Sequence, residues 1–77
     1  MNKARTLDTI SVGESLYISN IDASCGELER LSALGVYVGA RVRSVGRGPL
    51  GDPLMLAVGG RVIAVRRRNL SAILVAG

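Results

Sequence analysis

Residues 47–54 read Arg-Gly-Pro-Leu-Gly-Asp-Pro-Leu, and no other stretch restricts the fold as tightly. Both prolines of the chain are here, Pro49 and Pro53, with Gly48 and Gly51 between and before them. Proline holds φ near −65° and glycine admits positive φ, so Pro49 to Pro53 is a shaped connection rather than a floppy one. Such a segment cannot lie inside a helix or a central strand. It must join two elements, and it carries an apolar side chain, Leu50, and a carboxylate, Asp52, at its tip. Two readings follow: a demanding turn, or a recognition element.

Both flanks of this turn have the period-two pattern of strands. Before it, residues 41–47 alternate so that Val42 and Ser44 face one way and Arg41, Arg43, Val45 and Arg47 the other. After it, Leu54, Leu56 and Val58 share a face. Gly59-Gly60 then forms a two-residue hairpin signal, because a type I′ turn needs φ > 0 at both central positions. The return strand spans residues 61–65, with Ile63 and Val65 facing one way and Val62 and Ala64 the other. Residues 66–71, Arg-Arg-Arg-Asn-Leu-Ser, interrupt the pattern as a polar segment of one 3₁₀ turn, and residues 72–75 close the chain as a last strand.

The first half is less regular. Residues 1–6 are polar and are expected to fray. Residues 9–14 alternate briefly and end at a turn glycine, Gly13, before a strand over Leu16–Ser19. Ser24 followed by Glu27 matches the capping-box spacing, so a helix is expected over about 24–34, with Leu28 and Leu31 on its apolar side. Gly35 is placed to end it in a left-handed C-cap, and residues 36–39 read as a tight corner. The sum is a mainly β single domain over residues 1–77, with about five short strands and one short helix. Strands this short and this sharply turned are expected to curl into a small SH3-like barrel whose closure removes exposed edges. If the barrel stays open, Ile73-Leu74-Val75 offers an edge for pairing across a homo-oligomer.

Composition narrows the chemistry. With 77 residues the chain buries only about 60% of its unfolded surface. Its core must be built from Leu, Val, Ile and Ala, since Phe and Trp are absent and Tyr17 and Tyr37 are the whole aromatic set. Both tyrosines are expected at the margin of the core. There is no histidine, hence no common general base and no common metal ligand. One cysteine, Cys25, makes no internal disulfide and no four-ligand zinc site, and reads as a small filler in a reducing compartment. Carboxylates do not come in catalytic pairs. Ferrous iron wants clustered oxygen and nitrogen donors, and only Asp52 near Met55 hints at one, with a turn aspartate and a strand methionine as the plain explanation. No catalytic, cofactor or metal residue is assigned. No apolar run approaches a membrane span and no secretory leader is visible, which points to the cytoplasm.

Charge is unevenly placed within a net +4. Residues 40–77 hold seven arginines, at 41, 43, 47, 61, 66, 67 and 68, against Asp52 alone. Arginine pairs with carboxylate and phosphate in a bidentate fork. Arg66, Arg67 and Arg68 are either an anion contact or a solvated turn whose stems cover the barrel edge.

Three segments, Leu31-Ser-Ala-Leu-Gly-Val-Tyr-Val-Gly39, Arg47-Gly-Pro-Leu-Gly-Asp-Pro-Leu54 and Ile63-Ala-Val-Arg-Arg67, follow one another in the order and spacing of the ferrous iron transport protein A family (FeoA), which the chain resembles from about Leu16 to Val75. The Pro-Leu-Gly-Asp-Pro core is the specific part. Val38 stands where the family has proline, Gly48 where it has alanine, and Ser44 where an apolar strand residue is usual. The resemblance implies a non-enzymatic, cytoplasmic SH3-like accessory protein of ferrous iron uptake. Its partner would be the membrane transporter, ferrous iron transport protein B, which carries a cytoplasmic GTP-binding domain and would tie the chain to the membrane only indirectly. On this reading Leu50, Gly51 and Asp52, with Arg66, Arg67 and Arg68, meet the partner. The alternative is a small basic nucleic-acid-binding barrel, motivated by the arginine-rich half. Two tyrosines and little lysine equip it poorly for that task, and no nucleic acid is expected.

Overall fold

The structure, a computed structural model, describes residues 5–77. Six strands form one antiparallel sheet: β1 (Arg5–Thr6), β2 (Ser15–Ile21), β3 (Arg41–Arg47), β4 (Leu54–Val58), β5 (Arg61–Val65) and β6 (Ile73–Ala76). Their order across the sheet is β1-β6-β2-β3-β4-β5. Among the described residues there are also two short α-helices, α1 (Leu28–Ala33) and α2 (Arg67–Leu70). Among the described residues no helix is long and apolar enough to cross a membrane.

The alternation read from the sequence is the alternation of the sheet. Val42 and Ser44 of β3, Leu54, Leu56 and Val58 of β4, and Ile63 and Val65 of β5 all point into one core. Leu16, Ile18, Ile73 and Val75 join them from β2 and β6. Aliphatic side chains on both sides of a curled sheet fill its interior without aromatics, since branched residues pack well on a pleated surface. Two β-bulges help the curl. One falls between Ser44 and Gly46 where β3 meets β4, the other between Ile18 and Asn20 where β2 meets β6. Each extra residue bends its strand and adds local twist.

Several expectations need correction. Six strands form rather than five, because Arg5 and Thr6, expected to fray, pair with Val75 and Leu74; residues 1–4 of that stretch lie outside the described residues. The Arg5 guanidinium is held by Glu14 in a two-pronged ion pair at 2.7 and 2.8 Å. Residues 9–14 do not extend as an alternating run. A 3₁₀ turn over Leu7–Thr9 buries Leu7, and Ile10 follows it into the core. The ladder leaves β1 and β5 at the two ends of the sheet, so edges remain. β6 is not one of them. It lies between β1 and β2, so Ile73–Val75 has no free side for a second copy.

The helix starts later than the capping-box spacing implies. Asp22, not Ser24, does the local work: its carboxylate accepts the Ser24 N–H at 2.8 Å, closing a turn before the helix. Glu27 then sits at the N-cap with φ 62°, and its side chain turns away to Arg30 and to Asn69 of α2. At the other end the expectation holds. Gly35 takes φ +104° and its N–H bonds Ser32 O, while Val36 N–H reaches back to Leu31 O at 2.9 Å. This double closure is a Schellman motif, which needs a residue free to adopt positive φ. Leu31 is buried, and Leu28 and Leu34 flank it against the core.

Tyr17 and Tyr37 stand 51% and 57% exposed, so neither packs at the core margin as expected. Cys25 is buried, its Sγ within 3.4 Å of the carbonyls of Gly26 and Asn69. Burial, then the nearby Glu27 and Asp22 carboxylates, pushes its thiol pKa up. Segment 66–71 is one turn of α-helix rather than a polar 3₁₀ interruption, and its Leu70 is fully buried.

Candidate functional site

The connection between β3 and β4 is short, closed and internally bonded. Gly48 N–H donates to Pro53 O at 2.8 Å, Gly51 N–H to Gly48 O at 3.0 Å, and Asp52 N–H to Pro49 O at 3.3 Å. The Asp52–Pro53 peptide is cis. Gly48 is required here rather than merely allowed. A Cβ on it would lie 2.5 Å from Asp52 O and 2.8 Å from Pro53 Cδ. Any larger side chain lacks room there, so glycine lets the turn close tightly.

Leu50 is at the tip. It has φ 60° and ψ 20°, a left-handed conformation that costs a non-glycine residue roughly 1 kcal/mol. Its side chain is as exposed as in an extended chain, at 104% relative accessibility. Gly51 follows with φ +81°.

Asp52 turns back toward its own chain. Its Oδ1 accepts the backbone N–H of Arg67, the first residue of α2, at 3.0 Å. The residue at the N-cap of α2, Arg66, offers no side-chain cap. Asp52 therefore replaces a local cap, and its negative charge sits at the positive end of the turn. Its Oδ2 lies 3.9 Å from Arg66 Nη1, a long and exposed ion pair. The Arg67 guanidinium rests beside Gly51, where a Cβ would meet Nη1 at 3.3 Å.

The structure thus brings Leu50, Gly51, Asp52, Arg66 and Arg67 together. Arg68 is exposed on the same short helix, and among the described residues its side chain makes no hydrogen bond or ion pair to the turn. The surface has an apolar knob, flanked by two guanidiniums, on a backbone braced from both sides. Arg47, at the end of β3, is committed elsewhere: its Nη2 donates to Ile10 O at 2.5 Å. Two contributors went unread in the sequence. Gly48 reads only as a departure from the family pattern, because the groups that exclude a side chain there, Asp52 O and Pro53 Cδ, are brought up by the closed turn. Asn69, which binds Glu27 at 2.8 Å and so ties α2 to the start of α1, gave no signal. Among the described residues, no three His, Cys, Asp or Glu side chains lie close enough to hold a metal ion.

Comparison with known proteins agrees with this architecture. The FeoA domain family model matches residues 5–77. The chain belongs to the FeoA domain family. It is 33% identical over 55 residues to a Methanocaldococcus jannaschii protein named for Fe(2+) transport protein A, an alignment covering 71% of this chain and 65% of the relative. The chain thus spans just under two thirds of that relative's length. The solution structure of iron(II) transport protein A from Clostridium thermocellum superposes with a TM-score of 0.85 at 29% identity, over 94% of this chain and 44% of that one. The zinc complex of Stenotrophomonas maltophilia FeoA, described as a procaryotic SH3 domain protein, has a TM-score of 0.77 at 30% identity, over 94% and 89% of the two chains. The SH3-like reading of this FeoA chain is therefore sound, and the Pro49–Pro53 turn is part of the matched region.

Proposed function

We propose that this chain is a cytoplasmic, non-catalytic accessory module of ferrous iron uptake that works by docking on the membrane ferrous iron transporter. Family membership supports the transport role. The observation that carries the docking role is Leu50. An apolar side chain left wholly in water, on a backbone conformation that disfavours it, runs against two energetic preferences at once. A turn braced by Asp52 and closed by Gly48 offers that knob at low ordering cost, which is what pre-organisation contributes to affinity. Arg66 and Arg67 beside it, with Arg68 next along α2, suit an acidic rim around an apolar recess on the transporter.

The test is calorimetric titration of the chain into the intact transporter in detergent, wild type beside Leu50→Ala. Saturable binding is expected, weakened about tenfold or more in the variant, as for a central apolar anchor. Equal affinity of the two would remove the turn from the interface. Failure of the wild type to bind would remove the transporter as its partner.

A further inference from the structure

The far edge of the sheet is a second surface, independent of the turn. β5 pairs with β4 alone and is the last strand on its side. The hairpin loop has two residues, so the flanking pair Val58–Arg61 exchanges both of its hydrogen bonds, and Leu56–Ile63 and Leu54–Val65 do the same. By alternation, the N–H and C=O groups of Val62 and Ala64 point away from β4. Among the described residues nothing outside the ladder bonds to them. Their side chains are also open, Val62 at 57% exposure.

This edge is strongly cationic. Arg61 begins β5 and Arg66 follows its end, both exposed. Where the hairpin turns, the outer face forms a hollow of about 550 Å³ lined by Arg41, Arg43 and Arg61 together with Ser15, Ala57 and Val62. Ser15, Arg43, Ala57 and Val62 form a single cross-sheet row. No carboxylate lines this hollow, and none of its three arginines makes a salt bridge or a side-chain hydrogen bond among the described residues.

We propose that β5 receives an extended acidic segment of a partner protein as an added strand. Its backbone pairs with Val62 and Ala64, and its carboxylates enter the hollow of Arg41, Arg43 and Arg61. Strand addition supplies the main-chain hydrogen bonds, and the arginines select the charge. Charge also argues against a second copy. Two β5 edges paired antiparallel about Ile63 would set the Arg61 of each copy opposite Val65 and gather Arg61 of one copy and Arg66 of the other at each end of one short ladder, and crowding like charges is unfavourable.

The probe is a short peptide of alternating valine and threonine ending in glutamates, with a lysine-ended counterpart. The glutamate peptide should bind saturably, and the lysine peptide should not. Binding should slow hydrogen exchange at the Val62 and Ala64 amides of the unsubstituted chain. Val62→Pro removes an outward N–H and no ladder bond, a position where an edge strand tolerates proline. It should weaken binding by about tenfold, the worth of a lost main-chain bond and its orphaned acceptor. Arg43→Glu and Arg61→Glu should weaken it as well and flatten its salt dependence. Leu50→Ala should leave this affinity unchanged, which separates this surface from the transporter contact. Exchange at Val62 and Ala64 left unaltered by saturating peptide overturns the proposal, as does unchanged binding by a folded Val62→Pro chain. So does a single-stranded oligonucleotide that binds as tightly, sensitive to Arg43→Glu and indifferent to Val62→Pro, since that marks a general polyanion patch.

Discussion

Asp52→Ala removes the side chain that caps α2 among the described residues. The carboxylate makes two contacts of unequal worth. The bond from Arg67 N–H to Oδ1, at 3.0 Å, is a capping interaction, and replacing such a cap by alanine costs about 1 kcal/mol. The second contact, to Arg66 Nη1, is 3.9 Å long, with side chains 63% and 40% exposed. A pair of that kind contributes from about 0 to 1 kcal/mol and is screened by salt. The cap should dominate. Asp52→Ala is therefore expected to lower stability by about 1 kcal/mol in urea unfolding with an unchanged slope, and to lower Tm by about 4–8 °C for a domain of this size. Asp52→Asn keeps an oxygen at Oδ1 and should recover more than half of the loss. The loss in Asp52→Ala should also persist in concentrated salt. If Asn behaves like Ala, and salt abolishes the difference from wild type, charge rather than the backbone bond holds α2 and the capping argument fails.

Four further outcomes follow from single sites. Ser44 is fully buried and its Oγ has no hydrogen-bond partner among the described residues, so Ser44→Ala should raise the urea midpoint by an amount equivalent to about 1 kcal/mol, since an unmet hydroxyl carries its desolvation penalty into the core. Gly48→Ala should destabilise by about 2 kcal/mol or more on the same assay, because its Cβ would press on the Asp52 carbonyl at 2.5 Å. Glu14 has its pKa lowered from 4.5 to about 2, first by the Arg5 hydrogen bond and then by Ser11 N–H. A depressed carboxylate favours the folded state fully above the unfolded value and loses that contribution as pH falls from about 4.5 through about 2, so acid unfolding curves should flatten over that window in Arg5→Met. Cys25 should react with a thiol reagent at neutral pH only as fast as the chain opens, since burial and two carboxylates disfavour its thiolate; rapid labelling of the native chain would contradict this.

What could be read without coordinates was whatever short-range chemistry decides. Gly59 and Gly60 adopt φ of +57° and +78°, as a two-residue hairpin demands, and the inward set of β4 and β5 follows from that register. Gly35 ends α1 because a Schellman closure involves only the residues around it. The failures arise where a distant partner or a rival contact decides. β1 is two residues long and exists only because Val75 and Leu74 are there to pair with it. The capping box at Ser24 lost to an equally local competitor, Asp22, and Glu27 was drawn off by Arg30 and by Asn69, which lies 42 residues away. Residue spacing alone does not rank such competitors.

The candidate site shows the same division one level up. Two stretches stood out separately in the sequence, the Pro49–Pro53 turn and the arginine run, and each had a plain structural explanation. Their adjacency changes how each must be read. With Asp52 Oδ1 bonded to Arg67 N–H and the Arg67 guanidinium beside Gly51, the aspartate first serves its own chain, and only Oδ2 faces outward beside Arg66. The exposed chemistry that remains is one leucine and guanidiniums. For the docking proposed above, the matching partner surface is an apolar recess with acidic margins, and the role proposed for Asp52 is to hold that arrangement still. A change at Asp52 should then act on affinity through the geometry of the turn, and less than a change at Leu50 does.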